Sequence, residues 1–435
     1  MSAPVSRQVP ARVALLGAGN RGGGVYGEAA RAHPTLVQVV AVADPRAERR
    51  ALVGDRHGLQ VARRYAHWRE LLADVVAADL GLDAVVVATP DADHVEPTEA
   101  ALALHLDVLL EKPIAPDAGG VARVERAAAA SRGRVTVAHV LRHAPLFQRL
   151  RAGLRAGAVG RLVGIDHVEQ VGHWHFAHSF VRGNWRREAE ASPMLLAKAC
   201  HDLDLLRWFV DAPCERVASV GGLHHFRAEQ APDGAPARCT DGCPVEAECP
   251  YAAPRIYLER YQAAATWPNL VLTPVPARDS LLEALRTGPY GRCVYRCDND
   301  VPDHQVVLLD FAGGVRASLT VTAFSAAITR TVRAWGSHGE VEAHFGRGEL
   351  LWSDFRSGEQ RLERVEASGD GHVLADQSFA RDWFERLHAP HRDSEPRTDL
   401  RASLESHHMA FAAERARHGG NFVAPSLFAR GSGRV

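Results

Sequence analysis

A glycine-rich hexapeptide, Gly17-Ala18-Gly19-Asn20-Arg21-Gly22, stands between a short apolar run at residues 12–16 and a helical pattern at residues 21–32. A G-x-G-x-x-G that closes a strand and opens a helix constrains the N-terminal fold more than any other feature of this chain. Gly17 permits the tight turn, Gly19 lets backbone approach a pyrophosphate, and Gly22 allows close helix–strand packing. The helix start, with Asn20 and Arg21, then offers free N–H groups and a positive dipole end to phosphate. Asp44 closes the next apolar run, where a carboxylate would hold the adenosine ribose hydroxyls and repel a 2′-phosphate. That favours NAD over NADP, with Arg46 and Arg49 nearby weighing the other way.

The rest of the first 140 residues extends this unit. Residues 37–43 are an almost unbroken β-branched run, as in a strand buried on both faces. Similar runs follow at 84–88, 108–110 and 135–140, with helical segments at 68–78, 94–104 and 118–131 between them. Such alternation predicts a parallel sheet with helices on both faces. After residue 141 the texture changes. Helices are expected at 145–156, 192–210 and 401–417, with Ser192 as N-cap and Pro193 in the first turn of the second. Strands are expected at 162–171, 306–311 and 315–323, the last two joined through Gly313-Gly314, which supply the positive φ of a hairpin turn. A second hairpin is expected at 331–345, around Gly336 and Gly339. The fold class is therefore α/β: a Rossmann dinucleotide-binding domain at 1–141, then an α+β domain at 142–435 with a mainly antiparallel sheet. A Pro- and Cys-bearing insertion at about 226–300 reads as poorly patterned, without a strong core of its own.

Composition removes several classes of function. Lys and Arg number 51 against 52 Asp and Glu, a net charge of −1, so neither nucleic acid nor an acidic membrane surface is an expected partner. Residues 1–10 lack the basic start and apolar core of a signal peptide. No apolar stretch reaches the length of a transmembrane helix. A cytoplasmic enzyme is expected.

Further segments add a resemblance. Residues 16–22, residues 88–94 (Ala-Thr-Pro-Asp-Ala-Asp-His), Glu111-Lys112-Pro113, residues 142–160, His201-Asp202-Leu203-Asp204 and residues 406–414 together resemble the glucose–fructose oxidoreductase, inositol dehydrogenase and MocA family. The likeness spans nearly the whole chain outside the insertion. It implies a Rossmann domain followed by an open-faced sheet domain, with NAD(P) and substrate meeting between them. The sheet commonly serves as an oligomer interface, so a homodimer or homotetramer is implied. The resemblance places Lys112 beside the nicotinamide, bonded to a substrate hydroxyl, and gives Glu111 contact with the cofactor or with Lys112. Thr89, Pro90 and His94 would line the nicotinamide ribose side, and Arg142 matches a position where relatives often have arginine.

On the helix expected at 192–210, Lys198 and His201 are three apart and share a face. Histidine suits proton transfer from an alcohol because its pKa lies near neutrality, and the resemblance makes His201 the general base. Relatives commonly carry an aspartate four residues earlier; here that residue is Ala197, and Lys198 is the substitute polar partner. Ahead of this helix, His173, His175 and His178, then Arg182, Asn184 and Trp185, read as a polar and aromatic lining suited to a polyhydroxylated ring.

The insertion carries Cys239, Cys243 and Cys249, with Cys293 and Cys297 further on, and prolines at 244 and 250. Four thiolates from Cys239, Cys243, Cys249 and Cys293 would close a structural zinc site. An iron–sulfur cluster is a second reading, although the spacing matches neither common ferredoxin pattern. Free thiols or disulfides are the third.

These readings converge on an NAD-dependent dehydrogenase acting on a secondary hydroxyl of a sugar, inositol or related polyol. Two alternatives keep the fold: redox-neutral cleavage of a glycoside by transient oxidation and elimination, and a non-catalytic NAD-binding regulator.

Overall fold

The computed structural model describes residues 9–77, 80–262, 264, 266–367, 372–389 and 398–429. The chain divides into two compact units, Met1–Ala144 with His372–Leu404, and Pro145–Gly371 with Glu405–Val435.

The first unit is built on six strands, β1 (Ala11–Leu16), β2 (Val37–Ala43), β3 (Arg64–Tyr65), β4 (Ala84–Val87), β5 (Asp107–Leu110) and β6 (Val135–Val137). They form one parallel sheet in the order β3-β2-β1-β4-β5-β6. Every residue of β4 and β5 is buried, as apolar runs require once helices cover both faces; Asp107, which opens β5, is paired with Arg134. Crossover helices include Trp68–Ala77, Val95–Ala103 and Ala118–Ala129. The order reverses between β1 and β4, and ligands of such sheets bind beyond the carboxyl ends of the strands at that point. The glycine loop follows β1, Thr89 follows β4, and Glu111 follows β5.

Two features depart from expectation. The strand expected at 135–140 stops at Val137, and residues Val140–His143 form a tight 3-10 turn. A single boundary after 141 does not hold either, because residues 372–404 return to the first unit. Their helix, Val373–Arg386, sets Phe379 against Tyr26 and His143, at ring separations of 6.4 and 5.3 Å. Downstream, the Val137 N–H donates to the Thr398 carbonyl at 2.9 Å, so this segment also extends the free edge of β6.

The second unit carries eight strands, β7 (Leu162–Gln170), β8 (Cys214–Gly222), β9 (His304–Phe311), β10 (Arg316–Thr322), β11 (Thr329–Gly336), β12 (Gly339–His344), β13 (Glu349–Asp354) and β14 (Gln360–Arg364). Their order is β14-β13-β12-β11-β7-β10-β9-β8, antiparallel except for the central pair of β7 and β10. The strands alternate. Ala317, Leu319 and Val321 are buried on one face, while Leu308 and Val220 on the other are exposed. Gly313 and Gly314, at φ 82° and 89°, turn β9 into β10 as expected.

The helix Met194–Val210 packs on this unit's sheet with nearly all of its residues buried. Pro193 rather than Ser192 caps it. The Pro193 carbonyl accepts the Leu196 and Ala197 N–H groups at 2.9 and 2.8 Å, and no side chain caps the start.

The insertion also differs from expectation, because it has a core. Ala253, Ile256, Tyr257, Leu258, Leu281, Leu285 and Tyr290 pack together with Cys239 and with Trp174 from outside the insertion. The short helices Arg255–Arg260, Asn269–Leu272 and Arg278–Thr287 supply it. Pieces of one to three turns set no long periodicity, so large rings carry the burial instead. Among the described residues no helix is long and apolar enough to cross a membrane.

Candidate functional site

The glycine loop has the shape of a phosphate cradle. Gly17 sits at φ 104°, and a Cβ there would stand 2.3 Å from the Ala88 carbonyl oxygen. A Cβ on Gly22 would stand 1.9 Å from the Gly17 oxygen. Neither position admits a side chain. A Cβ on Gly19 would meet nothing closer than the tip of Arg49 at 3.4 Å, which leaves the backbone approachable. Asp44 is buried, and its two oxygens accept the Ala18 N–H at 2.7 Å and the Arg46 N–H at 2.9 Å. It therefore holds the loop, and a carboxylate with about four lone-pair positions keeps capacity for a ribose hydroxyl.

Glu111 lies at the centre of a buried array. It accepts from Arg21 Nε at 2.6 Å and from the Tyr26 hydroxyl at 2.7 Å, and its other oxygen takes the Lys112 N–H at 3.1 Å. Arg21 also forks onto Asp376 at 2.9 and 3.0 Å. Burial alone would raise the Glu111 carboxyl, but the Arg21 charge, the Tyr26 hydrogen bond and the Lys112 charge bring it below its ordinary value. Asp376 goes the other way: burial raises it, and Arg21 only partly offsets that. Sequence reasoning expected Arg21 and Glu111 but missed Tyr26 and Asp376. Asp376 lies 355 positions from Arg21, and no local pattern joins them. His94 is buried, with Nδ1 2.6 Å from the Pro113 carbonyl and Nε2 2.9 Å from the Thr89 carbonyl. It braces the loop after β4 against the turn after β5. The Thr89 hydroxyl donates to the Asp93 carbonyl at 3.0 Å. Lys112 is half-buried, Pro90 is exposed, and Arg142 is buried in this same unit.

The second unit holds a second buried array. Lys198 Nζ lies 3.1 Å from Glu169 Oε1, and Arg330 Nε lies 2.9 Å from Glu169 Oε2 and 2.7 Å from Asp202 Oδ1. His167 Nε2 lies 2.7 Å from the same Asp202 oxygen. Glu169 and Asp202 are wholly buried, and Arg330 nearly so. Burial would raise Asp202, but the Arg330 charge and the His167 hydrogen bond hold it below the usual carboxylate range. Burial lowers the Lys198 ammonium; Glu169 opposes this and Arg330 adds to it. His201, one turn on, is also buried. His175 is pushed well down, first by burial and then by the Lys198 charge. Glu169, Arg330 and His167 were not anticipated. The alternation of β7 was the available signal for His167 and Glu169, since it buries 165, 167 and 169 on one face; Arg330 lies on β11.

The remaining expected lining residues fall apart into two sets. His178 belongs to the insertion core: Nδ1 lies 2.8 Å from the Tyr257 hydroxyl, the ring stacks on Tyr290 at 4.8 Å, and burial lowers its pKa to about 3. Arg182 is buried, donating to the carbonyls of Arg292 and Tyr251 at 2.7 Å each. Asn184 is exposed and Trp185 half-buried, its ring 6.1 Å from Phe180. None of the seven cysteines forms a disulfide.

Comparison with known proteins gives two family matches. Residues 11–139 match "Oxidoreductase family, NAD-binding Rossmann fold", and residues 147–264 match "GFO/IDH/MocA C-terminal domain". A putative oxidoreductase, YteT, of Bacillus subtilis is 27% identical over 55% of this chain and 55% of its own length. Inositol 2-dehydrogenase 4 of Saccharopolyspora erythraea is 33% identical over 51% of this chain and 60% of its own length. The chain thus spans just over half the length of these curated relatives. Among solved structures, an inositol dehydrogenase homolog from Azotobacter vinelandii complexed with NAD+ superposes with a TM-score of 0.67 at 19% identity, over 96% of this chain and 98% of that one. Levoglucosan dehydrogenase in complex with NADH and levoglucosan gives 0.67 at 17% identity, over 95% and 99%.

Proposed function

From the premise that the chain belongs to the Gfo/Idh/MocA oxidoreductase family, with its NAD-binding Rossmann domain, we propose an NAD-dependent dehydrogenase acting on a secondary hydroxyl of a sugar, inositol or related polyol. The observation that carries this reading is the helix Met194–Val210, on which Lys198 and His201 are both buried and Lys198 pairs with Glu169, itself bound to Arg330. Burial in such an array lowers the Lys198 ammonium from its ordinary value, the direction that favours acid–base work.

The cradle around Gly17, Gly19, Asn20, Arg21 and Gly22 fits a dinucleotide pyrophosphate, because side chains are excluded where phosphate would approach. Asp44 suits the ribose hydroxyls of NAD and would repel the 2′-phosphate of NADP. Thr89, Pro90, His94 and Glu111 are assigned to the nicotinamide side. The bound nicotinamide would supply the hydride acceptor. The chain supplies the rest. His201 takes the hydroxyl proton, and Lys198, held by Glu169, tunes that imidazole and passes charge into the buried array. Lys112 steadies the oxygen as negative charge develops on it. Arg142, His175, Asn184 and Trp185 are assigned to the remaining hydroxyls. Arg182, spent on carbonyls of the insertion, is better assigned there.

The test is NADH formation by purified protein with NAD and a panel of inositols, sugars and glycosides. A rise with one polyol is expected. Ala197, at the place where the family resemblance leads one to expect aspartate, leaves a second reading open, redox-neutral glycoside cleavage. Cleavage without net NADH would select it. Tight NAD binding with neither reaction would leave a non-catalytic regulator.

A further inference from the structure

The insertion contains a site that the dehydrogenase reading does not use. We propose that Cys239, Cys243, Cys249 and Cys293 together ligate an iron–sulfur cluster of the four-iron, four-sulfide type.

The fold gathers these four residues from distant stretches. An isolated antiparallel bridge pairs Arg238 with Arg292, with Cys239 N–H donating to the Gly291 carbonyl and Cys293 N–H to the Ala237 carbonyl, both at 2.9 Å. That bridge brings Cys239 next to Cys293 across 54 positions. Cys243 and Cys249 stand on successive tight turns, each followed by proline, with Glu246 N–H on the Cys243 carbonyl and Ala252 N–H on the Cys249 carbonyl. All four side chains line one small cavity with free space of about 20 Å³, whose wall also includes Arg182, Val245, Glu246, Tyr251 and Tyr295. Cys297 does not line it; its thiol bonds the Cys293 carbonyl instead.

Spacing selects the ligand. Every trio among the four includes a pair of sulfurs more than 4.8 Å apart. One tetrahedral zinc with bonds of about 2.3 Å would hold its sulfurs only about 3.8 Å from each other. A four-iron cluster instead takes one thiolate at each of four irons, so its ligand sulfurs stand wider apart.

Charge gives a second, independent indication. Arg182 is buried against this cavity, and no carboxylate among the described residues pairs with it. Two of its nitrogens reach carbonyls, Nη2 also lies 3.6 Å from Cys239 Sγ, and Nη1 is buried with no hydrogen-bond partner. A guanidinium buried without an anion is strongly disfavoured. The groups that favour its charge here are Cys239, Tyr257, Cys297 and Cys293. Four thiolates around an iron–sulfur core carry a net negative charge and supply the missing counter-ion. The step balances as a ligand exchange: four iron bonds to a carrier's thiolates break as four iron bonds to these cysteines form, and the four protons the cysteines release pass to the departing carrier thiolates, with no change of oxidation state.

The experiment uses the full chain, made in iron-supplemented cells, purified without oxygen, and also reloaded with iron and sulfide. Iron, acid-labile sulfide and zinc are measured together with visible absorption before and after dithionite. The expected result is about four irons and four sulfides per chain, with a visible band that bleaches on reduction. Cys243→Ser/Cys249→Ser should lose both, while Cys297→Ser keeps them. Because Cys243 and Cys249 are half-exposed, the double variant should fold; NAD binding and thermal unfolding check that it does. One zinc per chain without iron, no iron after reloading, or full iron in the double variant would each overturn the proposal.

Discussion

The two buried ionic arrays use similar parts in opposite ways. In the first unit one guanidinium, Arg21, is shared by two carboxylates, Glu111 and Asp376. Sharing leaves the pair unequal: Glu111, with the Tyr26 hydroxyl and Lys112 also at hand, is pulled below its ordinary pKa, while Asp376 is raised. In the second unit two carboxylates, Glu169 and Asp202, face two cations, Arg330 and Lys198. There the guanidinium secures both acids, and the lysine is left with the lowered pKa. The first array locks a loop in place and leaves its slack on Asp376, an acid distant only in sequence that grips Arg21 of the glycine turn. The second places its slack on Lys198, one helical turn from His201. A buried charge cluster is thus informative about function chiefly through which member it leaves unsatisfied.

Removing the cation that each array depends on most should break the second harder. Arg330→Met leaves Glu169 buried with Lys198 and Asp202 buried with His167, each without its guanidinium. We expect a loss of about 3–5 kcal/mol in chemical denaturation, the range for stripping one partner from a buried pair. An unchanged midpoint would show that the array does not carry the unit's stability.

The inequality in the first array gives a smaller, sharper contrast. Glu111→Gln should cost about 1.5–3 kcal/mol, since it removes charged hydrogen bonds to Arg21 and Tyr26. Asp376→Asn should cost less than about 1 kcal/mol, because burial raises that carboxyl and offsets much of what its charge gains from Arg21. Equal costs would mean that Arg21 is not shared as described.

The smallest effects are pH slopes of opposite sign. Asp202 has a folded pKa below its ordinary 3.8, so its contribution is fully present above that value and is lost as pH falls through the folded one. Asp376 has a folded pKa above 3.8, so the folded state binds more protons there, and stability falls as pH rises from 3.8 through the folded value. Denaturation midpoints across the acid range should lose the first slope in Asp202→Asn and the second in Asp376→Asn. The same slope change in both variants would contradict the assignment.

The sheet of the first unit was legible because its signals are local. The runs at 37–43 and 84–88 are long enough to name strands, and the glycine hexapeptide names the turn between strand and helix. The His201 helix was legible for the same reason. The partners that tune these residues were not. Asp376 reaches Arg21 only because a helix near the C-terminus returns to the first unit, and Arg330 meets Asp202 across 128 positions. Glu169 sits where strand alternation buries it, a position that a sequence pattern would fill with an apolar residue. The insertion core was missed because its aromatic residues follow no single period. The cysteines were visible as a set, but their pairing across the bridge from Arg238 to Arg292 was not.

The central claim is that His201 moves the substrate proton while the Rossmann unit independently binds NAD. The most direct test is to measure NADH formation and NAD affinity side by side for the wild-type chain and His201→Gln, using the polyol that the wild type turns over. The account predicts a fall in kcat of about 10²–10⁴-fold, as for loss of a general base, with NAD affinity unchanged. Full turnover by His201→Gln would contradict it.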